Sequence, residues 1–554
     1  MGIDVEFPRP MAFDRVMEGT AIAAHNSPLF TIPTEILNNI ISQLSDVASL
    51  ALVNSDCRQL ARSCQFRTVT FDFSPRSEKI LTILQRETVE RGQTRGHTRS
   101  LSLGACIRRV VVNNDGYWKK ITAARPRKSG IFVEDTSENA YDDDENKVQQ
   151  WRTFAEQLTH KMNEIYRPTV LFVLSGLVHL ESLDMHQVDW SQSLLNNLTA
   201  CSIRRLSLVD VKLANTTPVM EDSVVWPLER LDIKMGWDFE FSQEPNGPRL
   251  NASTNWYTIL RLCSASLNVL FLSHHPAVTI MGNREDVVSF SLNFPQLRQL
   301  DLSWENHLDQ SALRSLILTS PHLSTLAINY GHRATKELLD REAYIESLET
   351  LVLYLNNSIP DDSSLAFLKN NPQLKAFAIY DAGASVLLER AISLLTAFSD
   401  LRMLSMTWEG RCIPDSSLGA LSSLISLETL HLSSGFQIGW RHDWSIHHNN
   451  IITSIKTLRK LRQVAFTRDM YSYTREGELF DYTSYSQLRD EAWDLHHRCM
   501  RVQALKYAEA FPDLEFIHMG HISFKVERVR NGFEVVATDD EGYSWMSNCF
   551  GISR

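Results

Sequence analysis

Histidine is the side chain most often used to hold a metal or move a proton near neutral pH. This sequence pairs it three times, at 274–275, 447–448 and 496–497. A helical metal site needs its two ligands at i and i+4, so that one face presents both. Adjacent histidines cannot do that. The densest stretch, WRHDWSIHHNN, gathers His442, Asp443, His447 and His448, but without fixed ligand spacing. It reads as a solvated loop that shapes a surface. The run Asp142-Asp143-Asp144 could attract divalent cations, yet it lacks the glycine and the ligand order of a calcium loop. The sequence contains no GxSxG elbow, phosphate-binding P-loop, GxGxxG or HExxH. The eight cysteines, at 57, 64, 106, 201, 263, 412, 499 and 549, include no CxxC pair. They fit reduced, mostly buried thiols better than a disulfide framework or a zinc site. The expectation is a protein with no catalytic, cofactor-binding or metal residues, and not an enzyme.

The elements around these residues explain what they serve instead. The chain has 554 residues, 43% hydrophobic and 22% charged, ordinary values for a globular protein. Its net charge of −11 argues against general binding to nucleic acid or an acidic membrane. No stretch approaches the roughly 18 apolar residues that a membrane span needs. The opening MGIDVEFPRPMAFDRVMEG carries acidic residues where a secretory signal would be basic. The expected location is cytoplasmic or nuclear rather than secreted.

One phrase recurs: apolar, two free residues, apolar, one free residue, apolar. Copies are LRQLDL (297–302), LSTLAI (323–328), LETLVL (348–353), LKAFAI (374–379), LRMLSM (401–406) and LETLHL (427–432), spaced by 26, 25, 26, 27 and 26 residues. Earlier copies are LESLDM (180–185), IRRLSL (203–208), LERLDI (228–233) and LNVLFL (267–272). Later ones are LRQVAF (461–466) and LEFIHM (514–519), and weaker ones are FRTVTF (66–71) and IRRVVV (107–112). Each phrase alternates like a strand at its end. Between phrases lie helical segments such as DQSALRSLILTSP (309–321) and DSSLAFLKNNP (362–372). One strand and one helix every 26 or so residues is the leucine-rich-repeat unit, whose leucines stack into one core. The expected fold class is α/β: a solenoid over 65–520, with parallel strands on its concave face.

The rhythm breaks in places. Residues 113–150 hold a basic run and then an acidic one, and read as a solvated, partly disordered insertion. The segment 467–511 is irregular, with a long helix in its second half. Asn531-Gly532 between alternating runs predicts a hairpin that caps the array, within a C-terminal region of 521–554.

In a solenoid the outward strand residues form the usual binding surface. Alternation places Asp301, Asn329, Tyr354, Tyr380, Thr407 and His431 there as candidates for binding a protein cargo. Tyr354 and Tyr380 hold the same position in successive repeats and should lie side by side. Trp304 and Trp408, at strand ends, are expected to turn inward and fill repeat corners.

After an N-terminal extension (1–29), residues 30–64 read as three short helices. Pro33 suits a first helical position, Ser45-Asp46 can cap a second helix, and Ser55 or Asp56 a third. Ile36, Leu37, Ile40, Ile41 and Leu44 mark one helical face. So short a unit cannot bury all its apolar side chains alone. The residues leave two readings open: a cap over the first repeat, or a docking surface for another protein.

The motif Ile32-Pro33-x-Glu35-Ile36-Leu37-x-x-Ile40-Ile41-x-x-Leu44, followed by Leu50, Val53 and Cys57-Arg58, resembles an F-box. With the repeats behind it, the chain resembles the F-box/leucine-rich-repeat proteins found in many copies in fungi. It departs from them at Cys57, where many members carry tryptophan. The resemblance implies a substrate-recognition adaptor of a Skp–cullin–F-box ubiquitin ligase. It implies docking to the Skp adaptor through Ile32, Pro33, Ile36, Leu37, Ile40, Leu44, Leu50 and Val53. The alternative is a repeat scaffold that binds protein but recruits no ligase.

Overall fold

A computed structural model describes residues 28–93, 102–124, 145–235, 252–274 and 291–538, apart from short interruptions within these stretches. The chain divides into two compact units, Met1–Thr258 and Ile259–Arg554. The acidic triplet at 142–144, most of the N-terminal extension and Trp304 lie outside the described residues.

In the first unit, helices span Thr34–Ser42, Val47–Leu50 and Ser55–Gln65. Asp46 caps the second of these by accepting from the backbone N–H groups of Ala48 and Ser49. Asn54, not Ser55 or Asp56, caps the third, accepting from Cys57 N–H. The chain enters that helix one residue earlier than the sequence suggests, and the amide oxygen already sits within reach. Strands follow at Thr68–Phe71, Arg109–Val112, Ser182–His186, Arg205–Leu213 and Arg230–Met235. Each pairs in parallel with the next. The insertion expected at 113–150 is helical at both ends, over Asp115–Ala124 and Glu145–His160. The second helix runs on through a π-helical turn, Lys161–Tyr166, into Arg167–Leu174. That turn aims the Tyr166 hydroxyl at Ser77 Oγ and at the backbone N–H of Phe73, a residue held at φ 63°.

In the second unit, parallel strands run Val269–His274, Gln299–Leu302, Thr325–Asn329, Thr350–Tyr354, Ala376–Ile379, Met403–Trp408, Thr429–Ser434, Gln463–Thr467 and Phe516–Met519. The pairing is unbroken and keeps one register. Leu300, Leu326, Leu351, Phe377, Leu404, Leu430 and Val464 therefore stack as one buried column. In both units each of these parallel strands begins two residues into its copy of the phrase, and helices such as Gln310–Leu318 and Ser385–Leu395 fill the intervals. This α/β arrangement is consistent with a leucine-rich-repeat solenoid. A long helix, Asp490–Ala510, stands where the sequence suggests one. Beyond it, strands Ile522–Val529 and Gly532–Thr538 form an antiparallel hairpin on the last parallel strand. Gly532 turns it at φ 143°, a conformation few other residues tolerate.

The second position of each phrase lies at the leading edge of its strand and is often charged. Arg108–Glu181 and Arg204–Glu229 pair there in the first unit. Lys375–Glu349, Arg402–Glu428 and Arg462–Glu515 pair there in the second. Each bridge ties two neighbouring repeats.

Candidate functional site

The helix Thr34–Ser42 carries two apolar stripes. One faces inward: Leu37 and Ile41 are buried with Leu60 of the third helix, and Leu29, Phe30, Val47, Leu50 and Cys64 pack around them. The other faces outward: Ile36 is 51% exposed, and Ile40 and Leu44 are exposed as well. The turn after Leu50 adds Leu52, 83% exposed, and Val53, 67% exposed. Pro33 is exposed, and Ile32 and Leu50 are half-buried. Leu37 is thus a correction to the expected docking set, because one residue along a helix turns the side chain by about 100°. Leu52, the most open of the group, belongs with the exposed set although the motif omits it.

The third helix is fixed from below. Gln59 is fully buried, and its Nε2 donates to the backbone oxygen of Ser102 at 2.8 Å and lies 3.2 Å from Cys106 Sγ. Cys57 is buried too. The segment therefore caps the beginning of the repeats with one side while leaving an apolar side open.

The outer face of the strands, opposite the leucine column, differs between the units. In the second unit its middle row runs Asp301, Ala327, Val352, Ala378, Ser405, His431 and Ala465, set by the register. Ala327, Val352, Ala378, Ser405 and Ala465 have no exposed surface. Tyr354 stacks on Tyr380 with ring centroids 5.2 Å apart. Ser405 Oγ lies 2.6 Å from His431 Nδ1, and His431 Nε2 lies 2.8 Å from Thr467 Oγ1. Of the expected cargo-binding residues, Asp301, Asn329, Tyr354, Thr407 and His431 are buried; Tyr380 alone among them is half-exposed. The expectation of an accessible row is corrected here. These side chains pack and hydrogen-bond within the chain, as the small residues between them require. Trp408 is fully buried at its strand end.

The first unit's outer face is charged and partly open. Arg109, Ser182, Arg205 and Arg230 form one row across successive strands, and Asp184, Ser207 and Asp232 the next. Arg109 pairs with Asp184 at 2.6 Å and Arg230 with Asp232 at 3.0 Å.

Among the described residues no group of three or more His, Cys, Asp or Glu side chains could hold a metal ion. In the histidine-rich stretch, His447 stands at the start of helix His448–Ile455 while His448 is buried against Tyr507, so the two diverge. Burial pushes the Cys201 thiol up to about 11 and the Cys263 thiol up to about 12. No described helix is long and apolar enough to cross a membrane.

No family model matches the chain, and no curated protein matches it. Solved structures do match. One is the crystal structure of a mouse RP105/MD-1 complex, 14% identical, with 52% of this chain and 59% of that chain covered at a TM-score of 0.25. So low a score carries no argument. The repeat architecture stands on the strands, their register and the leucine column.

Proposed function

We propose that this chain is a substrate-recognition adaptor of a Skp–cullin–F-box ubiquitin ligase, working in the cytoplasm or nucleus, with its repeats holding a protein cargo. The observation that carries this reading is the double-striped helix. A purely structural cap has no use for a second apolar stripe, whereas helix-in-groove docking requires one. Burying what remains exposed of Ile36, Ile40 and Leu44 in a partner's groove would gain about 1 kcal/mol each, and of the more open Leu52 and Val53 about 1–2 kcal/mol each. Cys57, lying inside the segment, takes no part in that patch. An adaptor of this kind performs no reaction of its own, since the ligase subunits supply the chemistry.

The test is co-purification with the Skp adaptor, comparing the native chain with an Ile36→Asp, Ile40→Asp double variant. Circular dichroism would show that both fold. Capture by the native chain and loss in the folded variant is the expected result. If the native chain captures nothing, the ligase reading falls and a protein-binding repeat scaffold remains.

A further inference from the structure

The repeats of the first unit carry a charge arrangement that the chain does not resolve by itself. Arg205 stands directly opposite Arg230 on the neighbouring strand, on the same outer face. Adjacent strands lie about 4.8 Å apart, and like charges directly opposite destabilise a sheet. Arg230 is neutralised by Asp232, and Arg109, at the far side of Ser182, by Asp184. Arg205 is half-buried, and its side chain makes no ion pair or hydrogen bond among the described residues. Lys234, exposed one turn of the alternation further along, adds another positive charge to the same face. Across the two paired rows, Arg109, Arg205 and Arg230 stand against Asp184 and Asp232, one positive charge in excess, and Asp210 lies at the bulge beside Lys234. The face is net positive in a chain whose total is −11.

We infer that this face binds an acidic segment of a protein partner, with the Arg205 guanidinium as the anion-binding group. A guanidinium offers a planar fork of donors that matches a carboxylate or a phosphate oxygen pair. Ser182, small and buried, stands between Arg109 and Arg205 in that row. The face recognises an anionic oxygen pair, which an aspartate or glutamate or a phosphorylated serine supplies equally. Identifying that partner as the ligase cargo rests on the adaptor reading; the binding itself does not.

The test uses the full chain and three fluorescent peptides: one of alternating glutamate and serine, the same peptide with its serines phosphorylated, and the same peptide with glutamine for glutamate. Anisotropy titrations at low and physiological salt report binding. The expected result is that an acidic peptide binds, the glutamine peptide does not, and salt weakens the complex. Preference for the phosphorylated peptide assigns phosphate as the natural anion; equal binding assigns carboxylate. Arg205→Ala should weaken binding by about tenfold or more, while Arg402→Ala, on a strand edge of the second unit, leaves it unchanged. Thermal unfolding supplies the second readout. Removing an unpaired arginine beside a like charge should leave the melting temperature unchanged or raised, whereas a structural arginine would lower it. Failure of the native chain to bind either acidic peptide, or tighter binding of a single-stranded oligonucleotide, overturns the assignment. Neither outcome touches capture of the Skp adaptor, which uses Ile36 and Ile40.

Discussion

The imidazole of His448 shares a hydrogen bond with the hydroxyl of Tyr507, Nδ1 to oxygen at 3.1 Å, and both side chains are buried. It joins helix His448–Ile455 to the long helix Asp490–Ala510, with Phe466 packed edge-on against the imidazole. Burial, reinforced by the positive charge of Lys506 and by His447, pushes the His448 pKa down to about 3.

That depression fixes a pH dependence. In the unfolded chain an imidazole takes up its proton near pH 6.5. Folded His448 resists protonation down to about pH 3. Between these values the unfolded state binds more protons, so stability is complete above pH 6.5 and is lost as pH falls. The slope approaches about 1.4 kcal/mol per pH unit from this group. Urea unfolding across that range, followed by hydrogen exchange in the two helices, should show it. His448→Phe should flatten the slope.

The two stripes of helix Thr34–Ser42 predict opposite responses to truncation. Leu37→Ala removes a core side chain and should cost about 2–5 kcal/mol of local stability. Ile36→Ala removes an exposed one and should stay within about 0.5 kcal/mol. Hydrogen exchange over 34–65 separates them. Equal loss at both positions would mean that Ile36 is core as well.

Gly116 sits where a Cβ would meet the Asp72 carbonyl oxygen at 2.2 Å, with Ser74 N at 3.0 Å. Its own N–H donates to that same oxygen at 2.8 Å. All the obstructing atoms are backbone, so nothing flexible can give way. Gly116→Ala should destabilise the first unit by about 1–3 kcal/mol or more. A fall in melting temperature, together with faster exchange at Thr68–Phe71, would register it.

Thiol labelling should be ordered by burial. Cys412 is exposed and, among the described cysteines, should react first with an alkylating reagent at neutral pH. Cys201 and Cys263, buried and held protonated, should react only on unfolding. Mass spectrometry of timed samples gives the order. Early labelling of Cys263 would contradict its packing in the helix Ala252–Cys263.

The strands were legible because each phrase combines two independent signals, an alternation and a period. Leu300, Leu326 and Leu351 needed only to be lined up. The small N-terminal segment was harder. Ile36/Ile40 and Leu37/Ile41 are both i, i+4 pairs, so spacing alone cannot say which stripe faces in; contact with Leu60 decides it. The outer face misled for another reason. Tyr354, Tyr380 and His431 suggest an accessible surface, but their neighbours Ala327, Ala378 and Ala465 are small enough to mark a close-packed layer. The contrasting run Arg109, Asp184, Arg205, Arg230 and Asp232 was equally readable. The net charge of the whole chain averages that run away, and it emerges only strand by strand.

The bridges along the strand edges carry a mechanical consequence. Glu349 is joined to Lys375, and Arg402 to Glu428, but Lys375 and Arg402 meet as like charges on adjacent strands. An exposed pair contributes only about 0–1 kcal/mol, little beside the leucine column. Where successive interfaces are nearly alike, however, small nearest-neighbour differences decide which opens first. Under an end-to-end load the second unit has a built-in seam between residues 375 and 402, whereas beyond it the charges alternate without a break through Arg402, Glu428, Arg462 and Glu515.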